Sequence, residues 1–233
     1  MQSLLTKQSS PKLLCTIHGP KPLPRNVAFS PNLHLSVSVK FAPFATRQRG
    51  GYIRDASERD ISAQVEAALA GVIIPDRLPK SAVEVVITVL EAEDDNVDVF
   101  GDAGSSEIQG IGHQNIVSGC ITAASAALLE ARIDCLDLLV GGVAATTFNS
   151  KGAAVRTLDP TPFNNDKLSA VCVVAYMPTR DEVTLVWTKG DTPIHHTERV
   201  RTFDSIIDGA INAAKGYYVV LRQVVTNPAQ PGA

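Results

Sequence analysis

The sequence predicts an α+β domain in which mixed β-sheets are layered with α-helices. Its apolar and polar residues indicate the order β-β-α-β-α-β-β-β-β-α, without the regular alternation of strand and helix typical of a doubly wound parallel sheet. Hydrophobic residues make up 45% of the 233-residue chain, which is ample for a core. We therefore expect a single domain over residues 11–222, with a disordered N-terminus at 1–10 and a disordered tail at 223–233.

The first half of the chain predicts three strands and one helix. Residues 33–41 alternate between apolar and polar side chains, as expected of a half-buried strand. A pattern that resembles a capping box begins at Ser57, and the apolar residues after it recur at helical spacing. This helix is expected to end before Pro75. Residues 12–18 and 82–91 predict the other two strands.

The second half is centred on an apolar stretch at residues 118–142. Its alanine-rich start predicts a buried helix with Ser118 as the N-cap, because a serine hydroxyl can accept from unpaired N–H groups of the first turn. A core strand follows, and Gly141 and Gly142 predict a bend of the backbone at its end. The remaining elements are predicted as strands at 153–158, 169–177 and 182–187 and as a long amphipathic helix at 197–221.

Charge and composition argue against several classes of protein. A formal net charge of −3 is not typical of a free-standing nucleic-acid binder. No apolar run reaches the length of a membrane span, and no secretory signal is evident. The four cysteines are widely spaced in apolar surroundings, which indicates buried thiols in a nuclear or cytoplasmic compartment. The acidic, glycine-rich stretch at 92–115 is interpreted as a solvated insertion.

For most residues that could carry chemistry, a structural role is favoured. The sequence has no Walker A, serine-hydrolase, zinc-protease or CxxC motif. His195 and His196 are consecutive and lack further ligands, so we expect two exposed histidines and no metal site. Asp159 and Asp166 could hold Mg²⁺, but turn and capping roles explain these carboxylates as well.

Two features could bind phosphate groups. Arg47, Arg49 and Arg54 lie in a basic loop, and guanidinium groups pair with the phosphate oxygens of RNA. A solvated loop or a contact with a protein partner explains the same arginines. The second feature is the start of the helix predicted from Ser118, where unpaired N–H groups and the helix dipole favour an anion.

Four motifs resemble the RNase PH domain family. In chain order they are FAPFATRQR, ERDISAQVEAAL, PKSAVEVVITVLEAED and CITAASAALLEARIDCLDLLVGG. With the LDPT motif at 158–161, the resemblance covers about residues 11–221 and is strongest to the RNase PH-like subunits of the eukaryotic RNA exosome ring. It implies the RNase PH fold, which is similar to domain 2 of ribosomal protein S5.

The resemblance also implies which residues a phosphorolytic site requires. The phosphate-binding arginine of the family falls on Val117, and a second functional arginine falls on Ala67. Of two family aspartates, the first matches Asp166 and the second falls on Cys172. Valine cannot replace the bidentate contact of a guanidinium, and a thiol cannot replace a carboxylate. We therefore expect a degenerate site without catalysis, metal or cofactor.

The function implied by the resemblance is that of a structural subunit of the exosome core ring. Arg47, Arg49 and Arg54 are the candidates for lining its RNA channel, which supports 3′-to-5′ RNA processing and degradation, including rRNA processing and mRNA turnover. The implied partners are other RNase PH-like ring subunits, an S1-domain cap protein and RNA, with no membrane. The implied location is the nucleus, with its nucleolus, and the cytoplasm. Two alternatives stay open, namely an active phosphate-dependent 3′-to-5′ exoribonuclease and a stand-alone RNA-binding module.

Overall fold

A computed structural model describes residues 11–23, 32–46, 55–92, 111–148, 154–160, 168–190 and 196–226. Its elements follow the predicted order. They are β1 (Lys12–Pro22), β2 (His34–Phe41), α1 (Ala56–Ala70), β3 (Ser81–Glu91), α2 (Ile111–Glu130), β4 (Val140–Phe148), β5 (Ala154–Leu158), β6 (Leu168–Met177), β7 (Glu182–Gly190) and α3 (His196–Thr226), with a 3-10 turn at Pro75–Arg77. None of the helices, over these ranges, combines the length and apolarity that crossing a bilayer requires.

Two sheets and three helices form four layers. The first sheet has the strand order β1-β3-β2, with β1 antiparallel and β2 parallel to β3. The second sheet has the order β5-β4-β6-β7, and all its pairs are antiparallel. The helices α1 and α2 lie between the sheets and share one apolar core with both. A smaller core lies between the second sheet and α3, which packs on its other face.

Side chains of α1 cover the outer edge of β2. The alternating pattern predicted for this strand is confirmed, since Val37 and Val39 are buried while Lys40 is exposed. Residues spaced four apart on α1 lie on one helix face, and they accept hydrogen bonds from alternate N–H groups of β2. The pairs are Val37 N to Glu66 Oε2 (3.3 Å), Val39 N to Ser62 Oγ (3.0 Å) and Phe41 N to Glu58 Oε1 (2.8 Å). This edge therefore has no free run of donors for another strand.

The capping box of α1 begins two residues before its predicted position. Asp55 is the N-cap and accepts a hydrogen bond from Ala56 N at 2.7 Å, while Glu58 Oε2 accepts one from Asp55 N at 3.2 Å. Ser57 is thus a residue of the first turn. Glu58 bonds both the cap and the edge of β2, so it joins the start of the helix to the first sheet.

The central helix begins seven residues before its predicted N-cap. α2 begins at Ile111, so the last five residues of the predicted loop at 92–115 are helical. Ser118 lies inside the helix, where its carbonyl accepts a hydrogen bond from Thr122 Oγ1 at 3.1 Å. The prediction of Ser118 as an N-cap is wrong because burial between two sheets stabilises a first turn that contains Gly112 and the polar run HQN.

The glycine pair of β4 lies within the strand and does not bend it. A Cβ atom on Gly141 would lie 2.7 Å from the Cα atom of Ser118 in α2. A Cβ atom on Gly142 would lie 2.7 Å from the backbone nitrogen of Ala214 in α3. Because successive side chains of a strand point to opposite faces, the pair lets one helix approach closely on each side of the sheet.

Candidate functional site at the start of α2

The structure describes three of the seven residues that the sequence singled out. Val117 lies in the second turn of α2, Ala67 is exposed near the end of α1, and Cys172 lies on β6. The other four, Asp166, Arg47, Arg49 and Arg54, lie outside the described residues.

Val117 and Cys172 lie on opposite sides of the second sheet. Val117 is 0% exposed and belongs to the core between the two sheets. Cys172 is also fully buried, but its side chain belongs to the core beneath α3. The structure therefore does not bring these two positions together in one pocket. A carboxylate at position 172 would point away from α2.

The first turn of α2 carries polar side chains that sequence reasoning missed. His113, Gln114 and Asn115 are all buried. Asn115 Nδ2 donates a hydrogen bond to the carbonyl oxygen of Pro160 at 3.0 Å, which ties the helix start to the segment after β5. The signal in the sequence is the polar run HQN beside an apolar segment. It resembles a loop because glycine precedes it and because histidine and asparagine are poor helix formers.

Two of these polar groups are buried without a hydrogen-bond partner. Gln114 is 2% exposed, and neither its Oε1 nor its Nε2 atom has a partner within the part of the chain that the structure describes. The Nε2 atom of His113 is in the same situation. A buried polar group left unpaired costs about 1–3 kcal/mol of stability, so the start of α2 is locally unfavourable for folding.

The charged side chains that act on His113 at this helix start are Lys189 and Asp60. Burial, and then the positive charge of Lys189, lower the pKa of His113 to about 4, while Asp60 opposes the shift. His113 is therefore neutral at pH 7. The first two turns of α2 contain no lysine or arginine, so within the helix itself only the dipole and neutral donors could face a phosphate.

Two aspartates in the second half of the chain, Asp159 and Asp181, lie in turns. Asp159 and Asp181 both have left-handed backbone conformations, with φ of 49° and 55°. Asp159 accepts a hydrogen bond from the hydroxyl of Tyr217, and Asp181 accepts one from the hydroxyl of Tyr176. The predicted turn role is confirmed for Asp159. Over the described ranges, no group of three or more histidine, cysteine, aspartate or glutamate residues could hold a metal ion.

Burial keeps the four cysteines in the thiol form at neutral pH. Cys120 and Cys172 are buried, and Cys15 and Cys135 are half-buried. Burial raises the pKa of Cys120 and Cys172 to about 12 and that of Cys15 and Cys135 to about 11. Because the thiolate is the reactive form, these thiols act as small apolar side chains, as predicted. Of the two histidines, His195 lies outside the described residues and His196 is the first residue of α3.

Comparison with known proteins finds relatives over most of the chain. Residues 3–134 match the RNase PH family, described as "3' exoribonuclease family, domain 1". Exosome complex component MTR3 of Chaetomium thermophilum is 44% identical over 218 residues, which cover 92% of this chain and 73% of that protein. Exosome complex component mtr3 of Schizosaccharomyces pombe is 29% identical over 181 residues, or 77% of this chain and 62% of that protein.

More distant relatives share the architecture. Exosome complex component Rrp41 of Pyrococcus abyssi is 28% identical over 218 residues, covering 92% of this chain and 74% of that protein. The crystal structure of Rrp46 from rice matches with a TM-score of 0.67 and 16% identity, over 93% of this chain and 84% of that one. At that identity the match bears on the fold alone, and it confirms the predicted α+β architecture.

Proposed function

Because the chain belongs to the RNase PH family of 3′ exoribonuclease domains, we propose that it is a non-catalytic subunit of the RNA exosome core ring. The two relatives named exosome complex component MTR3 support this function. They confirm the predicted resemblance to the RNase PH-like subunits of the exosome ring, among which the motifs of this chain are most similar to the mRNA-transport-regulator subunit. In the ring, the chain supports 3′-to-5′ RNA processing and degradation, including rRNA processing and mRNA turnover. One RNase PH-like domain over residues 11–222 remains part of the proposal.

Val117 carries the non-catalytic part of the proposal. By resemblance to the family, this position holds the arginine that binds the attacking phosphate. Here a valine side chain is fully buried in the core, and His113 beside it is neutral. An anion site without a guanidinium lacks the charge-assisted, bidentate pair that makes such contacts strong.

The other family positions support the same conclusion more weakly. Ala67 is exposed on α1 and offers no donor. Cys172 is a buried thiol, and Asp166 is the one family carboxylate that the sequence retains. Because Cys172 lies beneath α3, its lack of a carboxylate bears less directly on the α2 start than Val117 does.

The proposed partners are other RNase PH-like ring subunits, an S1-domain cap protein and RNA in the central channel. Relatives named as exosome components, including Rrp41, support the first of these. Arg47, Arg49 and Arg54 are the proposed RNA contacts, because arginines pair with phosphate oxygens whatever the base sequence. The proposed location is the nucleus, including the nucleolus, and the cytoplasm.

Co-purification tests the proposed function. The tagged full chain is isolated from its own cells, and we expect other ring subunits to accompany it in equal amounts. The purified chain, alone or with one ring partner, should release no nucleoside diphosphates from RNA in the presence of inorganic phosphate. Phosphate-dependent release would instead support an active exoribonuclease. Salt-sensitive RNA binding by a chain that brings no ring subunits would support a stand-alone RNA-binding module.

A further inference from the structure

The carboxylate of Glu58, in the first turn of α1, binds two backbone N–H groups that are far apart in the chain. Its Oε1 atom accepts a hydrogen bond from Phe41 N at 2.8 Å, and its Oε2 atom accepts one from Asp55 N at 3.2 Å. Glu58 is 7% exposed, so its carboxylate is largely shielded from water, where hydrogen bonds to a charged group are strong. We call Glu58 and the N–H groups of Phe41 and Asp55 the Glu58 clamp.

The Glu58 clamp fixes the two ends of one segment of the chain. Since only two C–O bonds separate the oxygens of a carboxylate, Phe41 N and Asp55 N lie no more than roughly 8 Å apart. The residues between them, 42–54, would span about 40 Å if they were fully extended. The clamp therefore determines where the chain leaves β2 and where it enters α1.

The segment between these ends carries the three arginines that are proposed to contact RNA. Arg54 directly precedes Asp55, so the N–H group that Glu58 binds belongs to the peptide unit that joins these two residues. Near the other end, Arg47 follows Ala45 by two residues. Ala45 is buried, and its carbonyl accepts a hydrogen bond of 2.9 Å from the residue after β3. The first and last of the three arginines therefore adjoin anchored residues.

Other side chains of α1 bond to β2 without reaching this segment. Ser62 Oγ accepts a hydrogen bond from Val39 N at 3.0 Å, and Glu66 Oε2 accepts one from Val37 N at 3.3 Å. Both bonds end within β2, before Phe41. They support the edge of the strand, as the bond from Phe41 also does, but only the bond to Asp55 joins that edge to the far end of the segment.

The clamp requires a carboxylate because both of its partners are donors. Glutamate and glutamine serve equally in a capping box, so the helix start alone does not distinguish them. Glutamine, however, has one acceptor oxygen, and its NH2 group is a donor. Glu58→Gln therefore keeps the shape of the side chain and one of the two hydrogen bonds, and it places two donors against each other in the second.

We infer that Glu58 is a positioning residue for RNA binding. It acts through other residues, because holding Phe41 next to Asp55 sets the place from which the three arginines meet the phosphates of RNA. This inference rests on the proposed function, which assigns these arginines to RNA. Fixed ends restrict the conformations of the segment before RNA binds, so less conformational entropy is lost on binding.

Two amide substitutions on α1 provide a matched test. The full-length variants Glu58→Gln and Glu66→Gln are each assembled with the other ring subunits. Binding of a labelled single-stranded RNA is then measured between about 50 and 200 mM salt, with EDTA present to prevent cleavage. We expect Glu58→Gln to weaken binding roughly three- to ten-fold and to make its salt dependence shallower by about one phosphate contact, because displaced arginines neutralise fewer phosphates.

The salt dependence separates positioning from a loss of folded protein. A smaller folded fraction lowers the amount of RNA bound and leaves the slope of log affinity against log salt unchanged. Glu66→Gln should match the wild type in both affinity and slope, because its bond lies within β2. Equal slopes in the two variants overturn the inference.

A double-mutant cycle shows whether Glu58 acts through the arginines. Arg47, Arg49 and Arg54 are replaced together by alanine, with and without Glu58→Gln. A positioning role predicts that Glu58→Gln changes the RNA affinity by less than about two-fold once the arginines are absent. The same loss of affinity with and without the arginines overturns the inference, because Glu58 then acts on RNA by another route.

Hydrogen exchange in the assembled ring without RNA tests the clamp directly. We expect Glu58→Gln to speed exchange in the peptides that contain Phe41 or Asp55 and to leave exchange in β6 unchanged. Unchanged exchange at both ends of the segment overturns the clamp. Faster exchange in β6 as well shows that Glu58 serves the whole fold, which overturns a specific positioning role.

Further outcomes separate this inference from the proposed function. If the wild-type chain does not join the ring, the proposed function fails, and the inference fails with it. If the variant without the three arginines binds RNA as the wild type does, the proposed RNA contacts fail although ring membership stands. If that variant loses affinity and Glu58→Gln does not, the RNA contacts stand and the positioning role of Glu58 is overturned.

Discussion

α2 and α3 pack against opposite faces of the second sheet, but they differ in which atoms they bury. The start of α2 buries polar atoms, whereas the end of α3 exposes apolar ones. Each helix comes close to β4 at one glycine, Gly141 for α2 and Gly142 for α3. The first turn of α2 is buried, and polar atoms of Gln114 have no partner among the residues that the structure describes. The last turns of α3 expose valines over the same described part of the chain.

The two helices differ because α2 lies between the sheets, whereas α3 lies on the outer face of the second sheet and also contacts solvent. The unmatched atoms of α2 are inside, where they cost stability and no charged ligand is favoured. The exposed apolar atoms of α3 are outside, where they cost little stability. Changes at the start of α2 should therefore alter stability strongly, whereas changes at exposed positions of α3 should alter it little.

The largest effect is expected from Val117→Arg in α2. This change places a charge in the core between the sheets, where Val117 is fully buried, and should lower the free energy of unfolding by roughly 4 kcal/mol or more. Urea denaturation followed by circular dichroism measures it. Ala67→Arg is the matched control, because the exposed Ala67 should tolerate the same side chain within about 0.5 kcal/mol. Equal stability of the two variants would contradict the burial of Val117, and neither should produce phosphorolysis.

The second effect is a loss of stability in acid that depends on His113. Its pKa is about 4 in the folded chain and 6.5 in an unfolded one, so the unfolded state binds a proton first as the pH falls. Stability is therefore complete above pH 6.5 and falls between pH 6.5 and 4, by about 3 kcal/mol in total. Urea midpoints at pH 7.5, 5.5 and 4.5 test this. His113→Leu should show a flatter dependence, and an unchanged slope in that variant would assign the acid loss to other groups.

The third effect compares the two close approaches to β4. Gly141→Ala should push α2 outward and Gly142→Ala should push α3 outward, each at a cost of about 1–3 kcal/mol. Gly216→Ala is the control, with open space around its Cβ atom and an expected gain of roughly 0.5–1 kcal/mol. The melting temperatures of the three isolated variants rank their stabilities. A loss of stability in Gly216→Ala similar to that in Gly142→Ala would mean that the end of α3 packs within the chain.

The smallest effect is a gain of stability from Gln114→Leu. Leucine has a similar volume and removes two buried polar atoms that lack partners, so the free energy of unfolding should rise by about 1–2 kcal/mol. Asn115→Leu is the matched control, and it should lower stability by about 1 kcal/mol because Asn115 Nδ2 bonds to Pro160. Denaturant midpoints report both changes. A loss of stability in Gln114→Leu would indicate that the amide is paired in solution.

Local sequence patterns predicted a strand or helix correctly where the apolar residues of the pattern are the ones buried in the fold. The alternation before Phe41, the helical spacing after Asp55 and the broad apolar face of α3 each produced the element that the structure contains. α3 runs past its predicted end at 221 to Thr226, into the tail expected from 223. Helix ends are hard to predict because the final turns gain little from the core, and here the exposed valines show how little burial accompanies them.

The candidate site was harder to predict because its properties depend on contacts between distant residues. The residues Gly112 to Asn115 look like a loop, and only their position between two sheets makes them the first turn of α2. Val117 and Cys172 were grouped by resemblance to one active site, but the alternation of side chains along β6 places Cys172 on the far side of the sheet.

The sequence by itself determined the order of strands and helices, the α+β class and the family, because periodicity and motifs are properties of neighbouring residues. Tertiary structure alone decided where α2 begins, why Gly141 and Gly142 are glycines, and which faces remain uncovered. These features arise when segments far apart in the chain meet. Packing between two sheets can keep residues with low helix propensity in a helical first turn. Close packing of a helix on a sheet can also leave no room for a side chain, so that only glycine fits.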